Sequence, residues 1–176
     1  MHIVCLDLEG VLIPEIWVEV AKRTGIEALK RTTRDEPDYD KLMRERLAVL
    51  AQHKLRLADI QAVIAAMAPM VGAREFLDGL RSTRQVVILS DTFYEFALPM
   101  MAQLGWPTLF CHRLETDKDG FVRAYHLRLP DQKRHAVEAF QKLNFKVIAA
   151  GDSFNDVSML KAAQAGIFFR DRKSVV

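Results

Sequence analysis

Short apolar segments that alternate with helical patterns constrain the fold of this chain more than any other feature. Four runs are apolar at nearly every position, as strands buried on both faces are, and they cover residues 2–6, 85–89, 146–150 and 166–169. Apolar residues recur at helical spacing between these runs, over residues 73–82, 93–104 and 133–143. We expect the second of these helices to be interrupted near Pro99. Strands that alternate with helices predict an α/β fold, in which a Rossmann-like parallel sheet is sandwiched by helices.

Two parts of the chain do not follow this alternation. The first contains helical patterns at residues 15–23, 38–52 and 57–67, with no strand pattern between them. We interpret residues 14–73 as a small helical cap that is inserted after the first strand, so that residues 1–13 and 74–176 form the α/β core. The second lies between residues 108 and 127, where Asp119-Gly120 separates two β-prone runs. It predicts a β-hairpin at the edge of the sheet.

Acidic and polar side chains follow three of the predicted strands, at the edge of the sheet where α/β proteins bind ligands. They are Asp7 and Glu9 after the first strand, Ser90, Asp91 and Thr92 after the second, and Asp152, Ser153, Asn155 and Asp156 after the third. So many carboxylates at one edge would repel each other strongly unless a cation neutralised them. Ligands that are all oxygen atoms favour Mg²⁺ or a similar hard ion. The sequence therefore predicts a Mg²⁺ site at this edge.

The same residues have the chemistry that phosphoryl transfer needs. A carboxylate beside a metal can attack phosphorus and form an aspartyl-phosphate, and a second acid two residues later can move protons to and from the reacting oxygens. Positive charge and hydrogen-bond donors are needed on the phosphoryl oxygens, and Ser90 and Lys133 can supply them, with Arg134 as a rival to Lys133.

These residues resemble the four motifs of the haloacid dehalogenase-like phosphatases, in the order in which that family has them. The matching segments are "DLEGV" at residues 7–11, Ser90 after "VVIL", Lys133 in "PDQKR" and "GDSFND" at residues 151–156. The resemblance implies that Asp7 is the nucleophile, Glu9 the acid/base, Ser90 and Lys133 the partners of the phosphoryl group, and that Mg²⁺ binds to Asp7, the main-chain carbonyl of Glu9, Asp152 and Asp156. Asp156 has a second interpretation as a helix cap.

Glu9 departs from the family pattern, which has Asp at this position. The longer side chain moves the proton-transfer atom by roughly one C–C bond, over an ångström. This shift is expected to slow the attack of water relative to that of another nucleophile.

Within the family, "PEIW" and "DYDKLMRERLAVL" resemble segments of phosphoserine phosphatases. This resemblance implies that Glu15 binds the substrate amine, although it lies one residue nearer the nucleophile than usual, and that Arg46 binds the carboxylate. Tyr39 falls where a cap residue packs on the substrate. A zwitterionic amino acid does call for one anion and one cation in its pocket. The remaining expected substrate contacts are Ser90, Asp91, Thr92, Lys133 and Asn155.

The segments "CLDLEGV", "TTRDEPDYD", "SDTFYEF" and "AAGDSFND" are similar to those of a subgroup that acts both as phosphoserine phosphatase and as homoserine phosphotransferase. That subgroup has Glu at the position of Glu9. The resemblance implies a Mg²⁺-dependent phosphoserine phosphatase and raises the hypothesis of phosphoryl transfer from phosphoserine to homoserine. The alternatives are a phosphatase of another small phosphomonoester, a receiver-like signalling domain that accepts a phosphoryl group, and a scaffold that has lost activity.

Composition and charge exclude several other classes. Of the residues, 50% are apolar and 27% charged, which is typical of a globular domain. A formal net charge of +2, with no interleaved basic and aromatic residues, argues against nucleic acid as a partner. No apolar run has the length of a membrane span, and the chain begins without a signal-peptide pattern, so we expect a cytoplasmic protein. The resemblance also favours a homodimer. The five histidines are scattered, and we expect them to have structural roles.

Overall fold

The computed structural model describes residues 1–33, 35–36 and 38–169, and every structural statement below concerns these residues. The strands are β1 (His2–Leu6), β2 (Gln85–Phe93), β3 (Thr108–Thr116), β4 (Val122–His126), β5 (Lys146–Gly151) and β6 (Ala165–Phe168). The α-helices are α1 (Ile16–Thr24), α2 (Tyr39–Gln52), α3 (Leu57–Ala65), α4 (Ala73–Arg81), α5 (Tyr94–Gln103), α6 (Gln132–Lys142) and α7 (Val157–Ala162). Short 3₁₀ turns cover Glu27–Lys30 and Phe154–Asp156. The predicted α/β fold is confirmed.

The strands form one sheet in the order β4-β3-β2-β1-β5-β6. All neighbouring pairs are parallel except β3 and β4, which form an antiparallel hairpin at the edge. The sequence predicted this hairpin but missed that β3 is itself a parallel strand beside β2, with Val87 opposite Thr108. The reason is that β3, "TLFCHRLET", mixes exposed polar residues with buried apolar ones, so its pattern does not reveal a strand of a parallel sheet.

The side chains of β1 explain why its pattern is apolar throughout. Val4 and Leu6 point to the face that is covered by α4 and α5, where they join a core with Leu77 and Phe96. Ile3 and Cys5 point to the other face and pack with Val137 of α6 and Met159 of α7. Because successive side chains of a strand alternate between faces, a strand between two helical layers needs apolar residues at every position.

The helices between β1 and α4 lie where the insertion was predicted, with bounds that differ by one or two residues. These helices contact the rest of the molecule on two sides. Trp17 of α1 packs edge-on against Phe96 of α5, with ring centroids 5.2 Å apart. On the other side, the backbone N–H of Leu57 donates to Gly120 in the β3–β4 turn at 2.9 Å, and the hydroxyl of Tyr125 bonds Asp40 of α2. The division into a core and a cap, with its boundaries, stays a prediction.

The expected interruption at Pro99 is wrong, because α5 continues through it. A proline at this position leaves the carbonyl of Glu95, four residues earlier, without its helical donor. The side-chain amide of Gln61, in α3, donates to that carbonyl at 2.7 Å. The tertiary contact therefore replaces the hydrogen bond that the helix loses.

The described helices include none with both the length and the apolar character that crossing a membrane requires.

Candidate active site

A pocket of about 430 Å³ lies at the carboxyl ends of the parallel strands, facing the inserted helices. This volume is within the usual range for small-molecule sites. Its lining includes every predicted site residue except Asp156: Asp7, Glu9, Glu15, Tyr39, Arg46, Ser90, Asp91, Thr92, Lys133, Asp152 and Asn155. The structure thus brings together side chains from β2, α2 and α6, from the loops after β1 and β5, and from the residue before α1.

Asp7 lies directly after β1, where its backbone N–H still bonds Ala150 of β5 at 2.9 Å. Its carboxylate is buried, and Oδ1 accepts hydrogen bonds from Lys133 Nζ and from the backbone N–H of Leu8, both at 2.8 Å. Burial raises the pKa of Asp7 well above its usual value, and the negative charges of Asp156 and Asp91 add to this effect, while Lys133 opposes it. The site thus holds more negative charge around Asp7 than one lysine offsets.

Lys133, in the first turn of α6, is the central cation of this end of the pocket. It is 2% exposed, and its Nζ atom donates to Asp156 Oδ1 at 2.7 Å as well as to Asp7. Burial alone would lower the pKa of Lys133, but Asp7, Asp91 and Asp156 raise it well above the usual value, so it is a permanent cation. Arg134, the rival in the sequence, pairs with Asp131 and Glu138 instead.

Three carboxylates form a group that could hold a metal ion. Asp7, Asp152 and Asp156 each offer an oxygen atom, and these atoms lie within 4.8 Å of one another. The approach of Asp152 depends on Gly10, since a Cβ at that residue would lie 2.3 Å from the Asp152 carboxylate. An all-oxygen set with uncompensated negative charge fits Mg²⁺. The carboxylate of Glu9 is not in this group, and the predicted role of its main-chain carbonyl stays a prediction.

Asp156 caps the 3₁₀ turn Phe154–Asp156, whereas its side chain makes no capping hydrogen bond to α7, the helix that the sequence suggested it caps. It is fully buried, and its Oδ2 atom accepts from the backbone N–H groups of Asp152 and Ser153, at 3.1 and 3.0 Å. These bonds hold the loop that carries Asp152 in place. The Asp156 side chain therefore both holds the loop after β5 and accepts a hydrogen bond from Lys133.

Glu9 is half-buried and directed towards the start of α1. Its Oε2 atom accepts a hydrogen bond from the backbone N–H of Ile16 at 2.8 Å. Burial, together with the charge of Glu15, raises the pKa of Glu9 from 4.5 to about 7, against the opposing effect of hydrogen bonds from Ile16 and Thr92. A carboxyl group with this pKa can both give and take a proton near neutral pH.

Ser90 and Thr92 are buried in β2 rather than in a loop after it. The predicted end of this strand at residue 89 is wrong, because β2 continues to Phe93. Its register against β3 shifts between Leu89 and Phe93, which is the irregularity of a β-bulge. The backbone N–H of Thr92 points to Ser90 Oγ at 3.3 Å. The bulge thus places these polar side chains in the pocket.

Arg46 of α2 lines the opposite wall of the pocket and is 8% exposed. Its guanidinium lies 4.6 Å from the ring centre of Trp17, and Nη2 donates to the carbonyl of Arg31 at 2.8 Å. Its Nε atom is buried without a hydrogen-bond partner. Burial lowers the pKa of Arg46 to about 10, although Glu9, Tyr39 and Glu15 favour its charged form. This wall therefore carries a cation with an unused donor.

A sequence model of the haloacid dehalogenase-like hydrolases matches residues 1–164 of the chain. The chain belongs to the haloacid dehalogenase-like hydrolase family. The family that the four motifs indicated is thereby confirmed.

Two curated relatives resemble this hydrolase over its whole length. It is 59% identical to the phosphoserine phosphatase ThrH of Pseudomonas aeruginosa, across 100% of this chain and 86% of the relative. It is 58% identical to a phosphoserine phosphatase of Pseudomonas syringae pv. tomato, across 100% of this chain and 74% of the relative.

Solved structures support the fold. A phosphoserine phosphatase determined as an analogue of its phospho-aspartyl intermediate superposes with a TM-score of 0.79 at 21% identity, covering 96% of this hydrolase and 86% of that chain. The enzyme from T. onnurineus superposes with a TM-score of 0.75 at 23% identity, covering 95% and 82%.

The sequence missed several pocket residues of this hydrolase, notably His112, Trp17 and Gln132. His112 was expected to have a purely structural role, yet it is buried in β3 and lines the pocket. Its position would have been evident had β3 been recognised as a parallel strand, because its carboxyl end lies at the same edge as that of β2. Gln132 precedes Lys133, and its Nε2 atom donates to the carbonyl of Ser90 at 2.5 Å.

Proposed function

We propose that this protein is a Mg²⁺-dependent phosphoserine phosphatase that passes the phosphoryl group first to Asp7 and then to water. One observation carries the proposal: a single pocket combines Asp7 and its lysine and carboxylate partners at one end with Arg46 and Glu15 at the other. The first end suits a phosphate and the second a zwitterionic amino acid. The names of the two curated relatives agree with this substrate.

The reaction follows from the groups at the phosphate end. An oxygen atom of the Asp7 carboxylate attacks phosphorus, and the bond between phosphorus and the serine oxygen breaks. Glu9 gives a proton to the departing serine oxygen. It then takes a proton from the water that attacks the aspartyl-phosphate. The bond between phosphorus and the Asp7 oxygen breaks, which restores the carboxylate and releases inorganic phosphate. The raised pKa of Glu9 suits both proton transfers.

Lys133 and Ser90 bind the phosphoryl oxygens during both displacements. Both side chains are buried in the lining of the pocket, so their donors act with little competition from water. Asp7, Asp152 and Asp156 would hold Mg²⁺, as their oxygen atoms are close enough to share one ion. The bound ion would supply further positive charge to the phosphoryl oxygens.

At the amino-acid end, Arg46 binds the carboxylate of phosphoserine and Glu15 its amine. Arg46 is held by Trp17 and Arg31 and lines the pocket, where its guanidinium offers charge and donors to a carboxylate. Tyr39 is fixed by a hydrogen bond from its hydroxyl to the carbonyl of Asp91 at 3.0 Å, and its ring lines the space between the two ends.

A second acceptor, homoserine, is favoured by one observation at Glu9. The longer side chain that replaces the family's Asp is tied to the N–H of Ile16 and to Thr92, away from the metal-binding group. Homoserine has its hydroxyl group on a longer side chain than serine. We expect Glu9, in this orientation, to take a proton from that hydroxyl more readily than from water. Formation of O-phosphohomoserine from phosphoserine and homoserine, followed by ³¹P NMR, tests this transfer. Release of free phosphate alone would refute it.

A panel of phosphomonoesters with Mg²⁺ tests the main proposal. O-phospho-L-serine is expected to give the highest kcat/KM. O-phosphoethanolamine, which lacks the carboxylate that Arg46 binds, should be poorer by about tenfold to a hundredfold, as the loss of a charged hydrogen bond predicts. Sugar phosphates and phosphothreonine complete the panel. A preference for sugar phosphates over O-phospho-L-serine would reject the assignment of Arg46 and Glu15.

The expected cytoplasmic location, the homodimer and the absence of a nucleic-acid partner are retained as predictions. Size-exclusion chromatography with light scattering tests the homodimer directly.

A further inference from the structure

The carboxylate of Asp91 is contacted from four sides inside the pocket. Its Oδ2 atom accepts from Asn155 Nδ2 at 3.0 Å and lies 3.7 Å from Lys133 Nζ. Its Oδ1 atom lies 3.4 Å from Gln132 Nε2 and 3.6 Å from His112 Nε2. Both oxygen atoms of Asp91 therefore have partners within the protein, which hold the carboxylate in place.

His112 is fixed in one tautomer by its surroundings. It is 4% exposed, and its Nδ1 atom accepts a hydrogen bond from the backbone N–H of Arg128 at 3.0 Å. A nitrogen that accepts a hydrogen bond carries no proton, so the neutral ring has its proton on Nε2, the atom that faces Asp91. The aromatic rings of Tyr39 and Phe93 lie 6.4 and 6.3 Å from the imidazole and complete its surroundings.

Asp91 is an anion in this environment. Burial alone would raise its pKa, but the charge of Lys133 and hydrogen bonds from His112 and Asn155 lower it below the usual value for an aspartate. A carboxylate so placed attracts the ammonium of Lys133 and the amide of Asn155 to the same oxygen atom.

We propose that Asp91 and His112 are positioning residues: His112, as the neutral tautomer protonated on Nε2, holds Asp91, and Asp91 sets the spacing of Lys133 and Asn155 around the phosphoryl group. This inference rests on the proposed phosphomonoester chemistry, in which Lys133 binds phosphoryl oxygens, and on Asn155 as the substrate contact that the sequence predicts. The substrate contact that the sequence suggested for Asp91 stays a prediction beside this role. Donors that are fixed before the reaction lower its barrier because they need not reorganise.

Two substitutions of His112 separate the hydrogen bond of the ring with Arg128 from its polar contact with Asp91. In His112→Gln, the amide nitrogen reaches the position of Nε2 and can still donate to Asp91. In His112→Asn, the shorter amide can still accept from the Arg128 N–H but does not reach Asp91. His126→Gln is a matched control, because His126 forms an exposed pair with Glu115 on the same hairpin.

The effect of each substitution on kcat should depend on whether the contact with Asp91 is kept. His112→Asn is expected to lower kcat by about tenfold to a hundredfold with little change in KM. Losses of this size are usual when a residue that holds a functional side chain in place is removed. His112→Gln should stay within roughly threefold of the unchanged protein, since it keeps the contact with Asp91 and loses only the neutral hydrogen bond from the Arg128 N–H. Asp91→Asn should lower kcat as well, and adding His112→Asn to it should cause no further loss, because the two residues act as one unit.

Imidazole NMR provides a readout that is independent of turnover. Long-range ¹H–¹⁵N spectra should show one neutral ring protonated on Nε2, and this signal should vanish in His112→Gln. A doubly protonated ring, or one protonated on Nδ1, would overturn the inference, as would equal defects in His112→Asn and His112→Gln.

The variants are compared on both O-phospho-L-serine and p-nitrophenyl phosphate, so that the two proposals can fail separately. Absence of turnover on O-phospho-L-serine alone overturns the proposed substrate. An unchanged kcat of His112→Asn on p-nitrophenyl phosphate overturns the positioning role.

Discussion

At the phosphate end of the pocket, charged side chains contact each other directly. At the amino-acid end, the guanidinium of Arg46 contacts an aromatic ring and a main-chain carbonyl instead. Lys133 lies 2.7 to 2.8 Å from two carboxylates. Arg46 instead rests on the ring of Trp17 and donates to a main-chain carbonyl. Removing Lys133 at the phosphate end leaves buried carboxylates without their cation. Replacing Arg46 at the amino-acid end mainly alters the surface that binds the substrate. The two ends should therefore respond differently to substitution.

The largest expected effect is on chemistry at Asp7. Asp7→Asn should lower turnover of O-phospho-L-serine by about 10⁴-fold or more, as the loss of a nucleophile does in other enzymes. Its melting temperature should change little, because Lys133 keeps its pair with Asp156 and the carboxyl group that is replaced already has a raised pKa. Full activity of this variant, or phosphoenzyme trapping that labels another residue, would refute the mechanism.

Lys133→Met should affect both activity and stability. The substitution leaves Asp7 and Asp156 buried without their cation, and breaking a buried pair in this way costs about 3–5 kcal/mol. Urea unfolding without metal measures this loss. Arg134→Met, next in the chain but at the surface, is the control and should leave stability nearly unchanged, because an exposed ion pair contributes little. Equal losses in the two variants would contradict the central position of Lys133.

Arg46→Met should mainly change substrate selection. The apolar stem is kept, so packing against α1 survives, but the donors to a substrate carboxylate are lost. KM for O-phospho-L-serine should rise by about tenfold to a hundredfold, the cost of a charged hydrogen bond, while kinetics on O-phosphoethanolamine change little. Arg44→Met, on the exposed side of the same helix, should leave both substrates unaffected. An equal loss on both substrates would place Arg46 in the chemistry rather than in recognition.

The smallest expected effect lies outside the pocket, at the proline in α5. Gln61→Met removes the donor to the Glu95 carbonyl and should lower the free energy of unfolding by about 1 kcal/mol. Kinetic constants on O-phospho-L-serine should be unchanged, which distinguishes the support of this helix from both ends of the pocket. If the free energy of unfolding in urea equalled that of the unchanged protein, water would be shown to bond the Glu95 carbonyl equally well.

Much of the phosphate end could be predicted because its residues follow strands with a clear pattern. Asp7 comes directly after an apolar run and Asp152 lies one residue past the end of β5, so the parallel sheet alone places them at one edge. His112 could not be predicted in this way, since β3 has polar residues and was interpreted only as half of a hairpin. The helix through Pro99 was missed because the partner of its free carbonyl comes from α3.

The amino-acid sequence alone determined most of the strand and helix segments, since burial on one face or on two leaves a pattern that local inspection detects. It also determined the types of reactive group at the strand ends. Only the tertiary structure decided which groups touch: Lys133 meets Asp7 across 126 positions of the chain, and His112 meets Asp91 through a strand pairing that no local pattern contains. The physical reason is that pKa values, tautomers and pairing depend on neighbours in space, and the register of the sheet and the packing of helices set those neighbours.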